Sequence, residues 1–198
     1  MFRVLHAISS AMGNTVGKSC VFHNVIGALM TAKHYMPDAR PVTGAAFVRV
    51  HDPSQSVLTC ARIDGTDIAS DPDAFHCWVE AGGYAIDFTA PTYKEALEGA
   101  GNMQAIPRKM FQRPLTSMAT SLDELQKEGD FLLVPDHDLS EALIQRFMSK
   151  HAPTDLANVC LSWFKKPLTK TPAEMSMIND LGEETRMRLP SIFVPSCW

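Results

Sequence analysis

Two β-rich runs, Phe75-His76-Cys77-Trp78-Val79-Glu80 and Tyr84-Ala85-Ile86-Asp87-Phe88-Thr89, flank the dipeptide Gly82-Gly83. Glycine at both central positions supplies the positive φ that a primed turn requires, so the spacing predicts a tight antiparallel hairpin. In that register Ala81 faces Tyr84, Trp78 faces Asp87 and His76 faces Thr89. His76 and Asp87 then become diagonal neighbours on one face, within reach of each other's side chains. A loop longer by one residue would put them on opposite faces.

The hairpin follows an apolar helix. From Cys20 to about Met36, Val21, Phe22, Val25, Ile26, Ala28, Leu29 and Ala32 leave almost no polar stripe, so this helix is expected to be deeply buried, with Pro37 closing it. A shorter amphipathic helix is expected over 3–12, and a small-residue loop over 13–19. Strands are expected near 43–50, 56–63, 74–81 and 84–90, joined by turns at Asp52-Pro53-Ser54 and 70–73. Beyond the hairpin, 121–128 and 140–150 read as helices, the second capped by Asp138. Phe131–Val134 reads as a further strand, and Thr171-Pro172-Ala173-Glu174 as a helix start. The class is α+β: a buried N-terminal helix on an antiparallel sheet, with extra helices appended. The chain reads as a single domain over 1–198, with its chemical core at 13–91 and an elaboration over 92–198.

Composition narrows the function. The 198 residues are 45% hydrophobic and 20% charged, with a net charge of −4. A nucleic-acid partner normally requires a basic footprint, which this balance lacks. No apolar run approaches the length of a membrane span, and the start carries no signal-peptide pattern, so a cytoplasmic protein is expected. Five cysteines (Cys20, Cys60, Cys77, Cys160 and Cys197) are widely spaced without a C-x-x-C. That fits neither a disulfide framework nor a zinc ribbon.

One of those cysteines stands apart. Cys20 falls at the expected mouth of the buried helix, where unpaired N–H groups and the helix dipole favour a thiolate. A carboxylate accepting from one nitrogen of His76 would fix its tautomer and leave the other nitrogen to move protons. Cys20, His76 and Asp87 thus read as nucleophile, general base and orienting acid. The Cys20 N–H and Asn14, six residues upstream, read as oxyanion donors.

The hairpin resembles the His-x-Trp-x-Glu … Asp-x-Thr pattern of transglutaminase-like proteins, through His76, Trp78, Glu80, Asp87 and Thr89. Arylamine N-acetyltransferases and the papain-like cysteine proteinase fold share this plan, as does an uncharacterised bacterial family of that fold. In that superfamily a cysteine at a helix start precedes a histidine and then an aspartate or asparagine on neighbouring strands. Cys20, His76 and Asp87 follow that order, and Asn14 is similar in position to the amide donor of papain-like enzymes. The resemblance covers about 13–91. It departs at Val21-Phe22, where papain-type enzymes often carry an aromatic residue directly after the cysteine, and at Phe88, where transglutaminase-like hairpins often have proline. It implies a thiol hydrolase, peptidase-like or amidase-like, acting on a peptide or a small amide or acyl substrate without a cofactor. An acyltransferase of the same fold, or a binding module that keeps the fold without catalysis, are the alternatives.

Other readings of the same residues are weaker. Cys77 is expected to face away from His76 into the core, Trp78 to pack behind the site, and Glu80 to be a solvated carboxylate. A Cys20–His23 metal pair lacks a second pair of ligands, so no metal is expected. Gly13-Asn14-Thr15-Val16-Gly17-Lys18-Ser19 resembles a phosphate-binding loop, but its glycines are separated by three residues where the motif needs four. Asp136-His137-Asp138 reads as turn and cap.

Overall fold

The computed structural model describes residues 1–13, 19–99, 101 and 106–198. Its elements are α1 (Phe2–Ala11), α2 (Cys20–His34), β1 (Arg40–His51), β2 (Ser56–Cys60), β3 (Arg62–Asp64), β4 (Asp67–Ala69), β5 (His76–Ala81), β6 (Tyr84–Asp87), α3 (Tyr93–Gly99), β7 (Phe111–Pro114), β8 (Phe131–Pro135), α4 (His137–Met148), α5 (His151–Trp163), β9 (Glu174–Ile178) and β10 (Glu184–Arg188). The architecture is α+β, with a curled antiparallel sheet and several helices. No described helix is long and apolar enough to cross a membrane.

β1 organises the sheet. Its first half pairs with β5, its second half with β2, and Gly44–Val48 pair with β8. Ala46–Val48 pair with both β2 and β8, so those two strands lie on opposite edges of β1. Every residue from Val42 to Val50 is buried, a near-continuous apolar run that fits a strand covered on both faces. On one face Val79, Ala81, Ile86 and Phe88 pack with α1, α2 and α5. On the other, Val42, Val48, Trp78, Phe111, Phe131 and Leu133 form a second core cluster.

The hairpin has the predicted register. Ala81 pairs with Tyr84, Glu80 with Ala85 and Val79 with Ile86, and Gly82 and Gly83 have φ of 55° and 79°. The second strand is shorter than the expected 84–90. Asp87 ends β6 by accepting from the Thr89 N–H at 2.7 Å, and a 3₁₀ turn follows over Ala90–Thr92, so His76 and Thr89 do not pair.

Other expectations need correction. The strand expected over 56–63 is divided: β2 stops at Cys60, and β3 forms a separate hairpin with β4. The helix expected over 121–128 is only a 3₁₀ turn at Leu122–Glu124. Local acceptors compete for its backbone: Glu124 Oε2 takes the Thr120 N–H and Asp130 Oδ2 takes those of Gln126 and Lys127. The predicted helix start at Thr171–Glu174 opens strand β9 instead, because 174–178 alternates and pairs with β10, burying Met187 and half-burying Met175 and Met177. The helix expected over 140–150 begins at His137, and its cap is Asp136, whose side chain accepts from the Leu139 N–H. Helices α3 and α5 had no sequence expectation.

α2 approaches the hairpin closely at Gly27. A Cβ there would lie 2.3 Å from Phe88 Cδ2 and 2.7 Å from its Cε2. Phe88 is 5% exposed and has no room to retreat. Gly27→Ala should therefore lose the gain of about 1 kcal/mol that alanine normally brings to a helix, and destabilise by about 1–3 kcal/mol through overpacking. Adding Phe88→Leu should recover part of that loss. Thermal denaturation of the single and double variants tests this; a Gly27→Ala protein as stable as the parent would refute the close contact.

Candidate active site

Cys20 is the first residue of α2 and is half-buried, with Ser19 as the N-cap. The first intrahelical bond runs from the His23 N–H to Ser19 O at 2.9 Å, so the N–H groups of Cys20, Val21 and Phe22 have no intrahelical acceptor. The helix thus points its positive end at the Cys20 sulfur.

Asn24, one turn further on, fixes that end against the hairpin. Its Nδ2 donates to Cys20 O at 3.2 Å, Cys77 O at 2.7 Å and Asp87 Oδ1 at 2.9 Å, while its Oδ1 accepts from the Phe88 N–H at 2.9 Å. The side chain is fully buried, so each of these bonds is made away from water.

Asp87 is the centre of the arrangement. One oxygen accepts from His76 Nε2 at 2.8 Å and from the Tyr93 hydroxyl. The other accepts from Asn24, from the Thr89 N–H at 2.7 Å and from Thr89 Oγ1 at 2.5 Å. Asp87 is 2% exposed and His76 7% exposed. Burial disfavours the carboxylate, but the His76 charge and these donors overcome it and hold Asp87 well below the usual carboxylate range. Burial likewise opposes the imidazolium, and the Asp87 charge, with hydrogen bonds to Asp87 and Cys20, holds His76 well above its ordinary value. Nε2 is committed to Asp87, which leaves Nδ1 as the ring nitrogen for the hydrogen bond with Cys20.

The three residues singled out in the sequence therefore meet: Cys20 contacts His76, and His76 contacts Asp87. Asn14 lies outside the described residues. Cys77 is fully buried, and burial pushes its thiol well up. Cys160 is pushed up to about 12 by burial. Glu80 is not the solvated carboxylate expected, since it pairs with Arg40 at 2.8 Å and accepts from Trp78 Nε1 at 3.4 Å. Trp78 is packed in the sheet core. Among the described residues no group of three His, Cys, Asp or Glu side chains could hold a metal ion. Sequence reasoning missed Asn24 and Tyr93, and named Thr89 only as part of the resembled hairpin motif. The signal for Asn24 was a lone amide in an apolar helix, four residues from Cys20 and so on its face.

Residues 1–198 match the family described as a protein of unknown function (DUF2026). The chain belongs to that family. No curated protein matches it. It is similar to a solved protein named in "The crystal structure of genomics APC5867", with 28% identity and a TM-score of 0.86, over 100% of this chain and 92% of that one. The architecture that carries the Cys20–His76–Asp87 contacts is thus also adopted by that solved protein.

Two outcomes follow from these contacts. Asn24→Ala leaves Cys77 O, the Phe88 N–H and Asp87 Oδ1 each short of a partner, and a buried unsatisfied group typically costs about 1–3 kcal/mol. Urea unfolding should show a loss of about 3 kcal/mol or more; a loss under about 1 kcal/mol would mean that the amide is not the clamp.

The second concerns His23, which is 1% exposed and donates Nδ1–H to Ser19 O at 2.9 Å, while Nε2 has no partner among the described residues. Burial pushes His23 down from 6.5 to about 4. A base depressed by folding binds fewer protons in the native state, so stability should fall as pH drops from 6.5 toward about 4 and level off below. His6, whose ring lies 6.5 Å away, is also lowered by burial and adds to the same slope. The raised His76 acts oppositely and outside this interval, its contribution being complete below the ordinary histidine value and fading as pH rises through its raised one. Asp87 loses its contribution only at still lower pH, through its depressed value. His23→Gln should flatten the pH 6.5–4 slope by a few kcal/mol. Unfolding free energies at several pH values test this; an unchanged slope would exclude His23 as its source.

Proposed function

We propose that this protein is a cysteine-dependent hydrolase of peptide or amide bonds, built on a transglutaminase-like variant of the cysteine-proteinase fold. The reading rests on one observation, the unbroken line of contacts from the half-buried Cys20 sulfur through His76 to the fully hydrogen-bonded Asp87. The order of these residues along the chain, and their positions at a helix mouth and on a glycine-closed hairpin, agree with that superfamily.

In this mechanism the Cys20 thiol gives its proton to His76 Nδ1, forming the imidazolium that the Asp87 charge favours, and the resulting thiolate attacks the substrate carbonyl carbon. The carbonyl oxygen gains the negative charge and lies toward the N–H groups at the start of α2. His76 then returns its proton to the leaving amine as the C–N bond breaks, giving a Cys20 thioester. Water, deprotonated by His76, attacks that thioester; the C–S bond breaks, the acid product leaves and the thiol is restored. An amine in place of water would make the same centre an acyltransferase. Asp87 holds the imidazole in one tautomer throughout, and Tyr93 and Thr89 hold Asp87.

Acylation by p-nitrophenyl acetate tests the reading. One acetyl group should appear on Cys20 by mass spectrometry and not on the exposed Cys197 or half-buried Cys60, which serve as internal controls. His76→Ala should abolish that selectivity, and Asp87→Asn should lower turnover by on the order of 10⁴, as in serine triads. Equal acetylation of Cys20 and Cys197, or unchanged acetylation in His76→Ala, would be incompatible with the proposed centre.

A further inference from the structure

Cys20 stands between two peptide groups, and a side chain from one turn further along α2 holds each of them. Asn24 Nδ2 donates to Cys20 O at 3.2 Å. His23 Nδ1 donates to Ser19 O at 2.9 Å, and the His23 backbone N–H reaches the same oxygen at 2.9 Å. A carbonyl oxygen has two lone pairs, so Ser19 O is fully engaged. Both bonds are made away from water, with Ser19 3% and His23 1% exposed.

The Ser19–Cys20 peptide is trans. In a planar trans peptide the C=O and the N–H point in opposite directions. Two donors draw Ser19 O along the helix axis, so the Cys20 N–H is turned outward at the mouth of α2, where it has no intrahelical acceptor. Ser19 itself does not supply this restraint. Its φ of −97° and ψ of 1° are not the extended backbone of an ordinary N-cap, and its side chain makes no capping bond. A peptide turned the other way would place Ser19 O in the mouth, withdraw the Cys20 N–H and break two buried hydrogen bonds.

The ring of His23 is held as a donor at Nδ1. Burial pushes it down to about 4, so the imidazole is neutral and carries one N–H, which the Ser19 carbonyl assigns to Nδ1. The ring of Phe22 lies edge-on to it at 5.6 Å, and that of His6 lies 6.5 Å away. Phe2 stacks on His6 in turn at 5.4 Å, so the imidazole is walled in on the side of α1.

We infer that His23 is a positioning residue of the Cys20 centre: through Ser19 O it fixes the Ser19–Cys20 peptide so that the Cys20 N–H serves as the oxyanion donor. The inference rests on the thiol-hydrolase reading for the oxyanion itself. His23 acts through the backbone and not on the substrate. Its contribution is made in the transition state, because the donor it fixes meets charge only when the carbonyl oxygen becomes an anion.

Two reactions of the full-length protein at Cys20, both followed by mass spectrometry, test this. Acetylation by p-nitrophenyl acetate passes through an oxyanion, whereas alkylation by iodoacetamide displaces iodide in one step and forms none. His23→Leu removes the side-chain donor and should slow acetylation of Cys20 by about 10–100-fold. Outright loss of an oxyanion donor costs roughly 10²–10³, and here the N–H remains but is free to turn. Alkylation should be unchanged. His23→Asn should restore most of the lost rate, since an amide here reaches the carbonyl four residues back, as Asn24 Nδ2 does to Cys20 O. If His23→Leu does not fold, His23→Asn is compared with His23→Gln, whose amide nitrogen takes the place of Nε2 and not of Nδ1; acetylation should be slower in His23→Gln. Acetylation and alkylation falling together, neither falling, or a His23→Asn protein as slow as the other variant overturns the inference. The wild-type protein separates this from the reading beneath it. If wild-type Cys20 reacts no faster than the exposed Cys197 with either reagent, the thiol chemistry is removed and the role of His23 with it. If wild-type Cys20 reacts selectively and His23→Leu leaves the ratio of acetylation to alkylation unchanged, the chemistry stands and His23 has no part in it.

Discussion

The carboxylate of Asp87 is a charge taken almost wholly out of water, and the architecture around it is what makes that tolerable. Unaided, the desolvation of such a group amounts to several kcal/mol. Here it is offset by donors from four places: His76 on β5, Asn24 on α2, Thr89 in the turn that follows β6, and Tyr93 at the start of α3. Each donor belongs to a different element, so a single side chain helps tie the helix layer to the sheet. Buried polar networks of this kind are unforgiving, because losing one partner leaves the rest of the charge unsolvated. They also rigidify, and a fixed imidazole is what proton transfer at a fixed distance demands.

The same environment sorts the cysteines. Cys77 sits next to His76 in sequence, but the strand pleat turns it to the opposite face, where burial keeps its thiol protonated. Cys160 is similarly inert inside α5. Cys20 differs in that it is half-buried, opens a helix and contacts an imidazole that the Asp87 charge holds toward its protonated form. Reactivity in a thiol follows from such placement. His23 plays a complementary part at the helix mouth: pushed down by burial, it stays neutral near Cys20 and adds no competing charge.

What was legible in the sequence follows from how local each determinant is. The hairpin register could be read because two glycines of positive φ admit one loop length, and parity then places His76 and Asp87 without reference to the rest of the chain. α2 could be read from its uninterrupted apolar run. The cap of α4 was misplaced by two residues because Asp136 and Asp138 offer the same side chain, and only the docking of Ser140 on Thr43, with Oγ 2.8 Å from the Thr43 N–H, favours the earlier start. At 171–178 a capping box and a strand pattern overlap, and pairing with β10 decided between them. Tyr93 carried no signal because its role depends on where the chain returns after the hairpin.

Phe88 joins the hairpin to α2 through both its backbone and its ring. A proline at this position would remove a backbone donor. Here the Phe88 N–H is present and is taken by Asn24 Oδ1, so the residue after Asp87 contributes a bond to α2 that proline could not make. Its ring then needs space, and α2 supplies it at Gly27, where any side chain would meet the aromatic face. Asn24 and Gly27 are three residues apart and lie on one helical face, one accepting the backbone of Phe88 and the other receiving its ring. The helix that presents Cys20 is therefore shaped to this hairpin, Asn24 to the backbone of Phe88 and Gly27 to its ring.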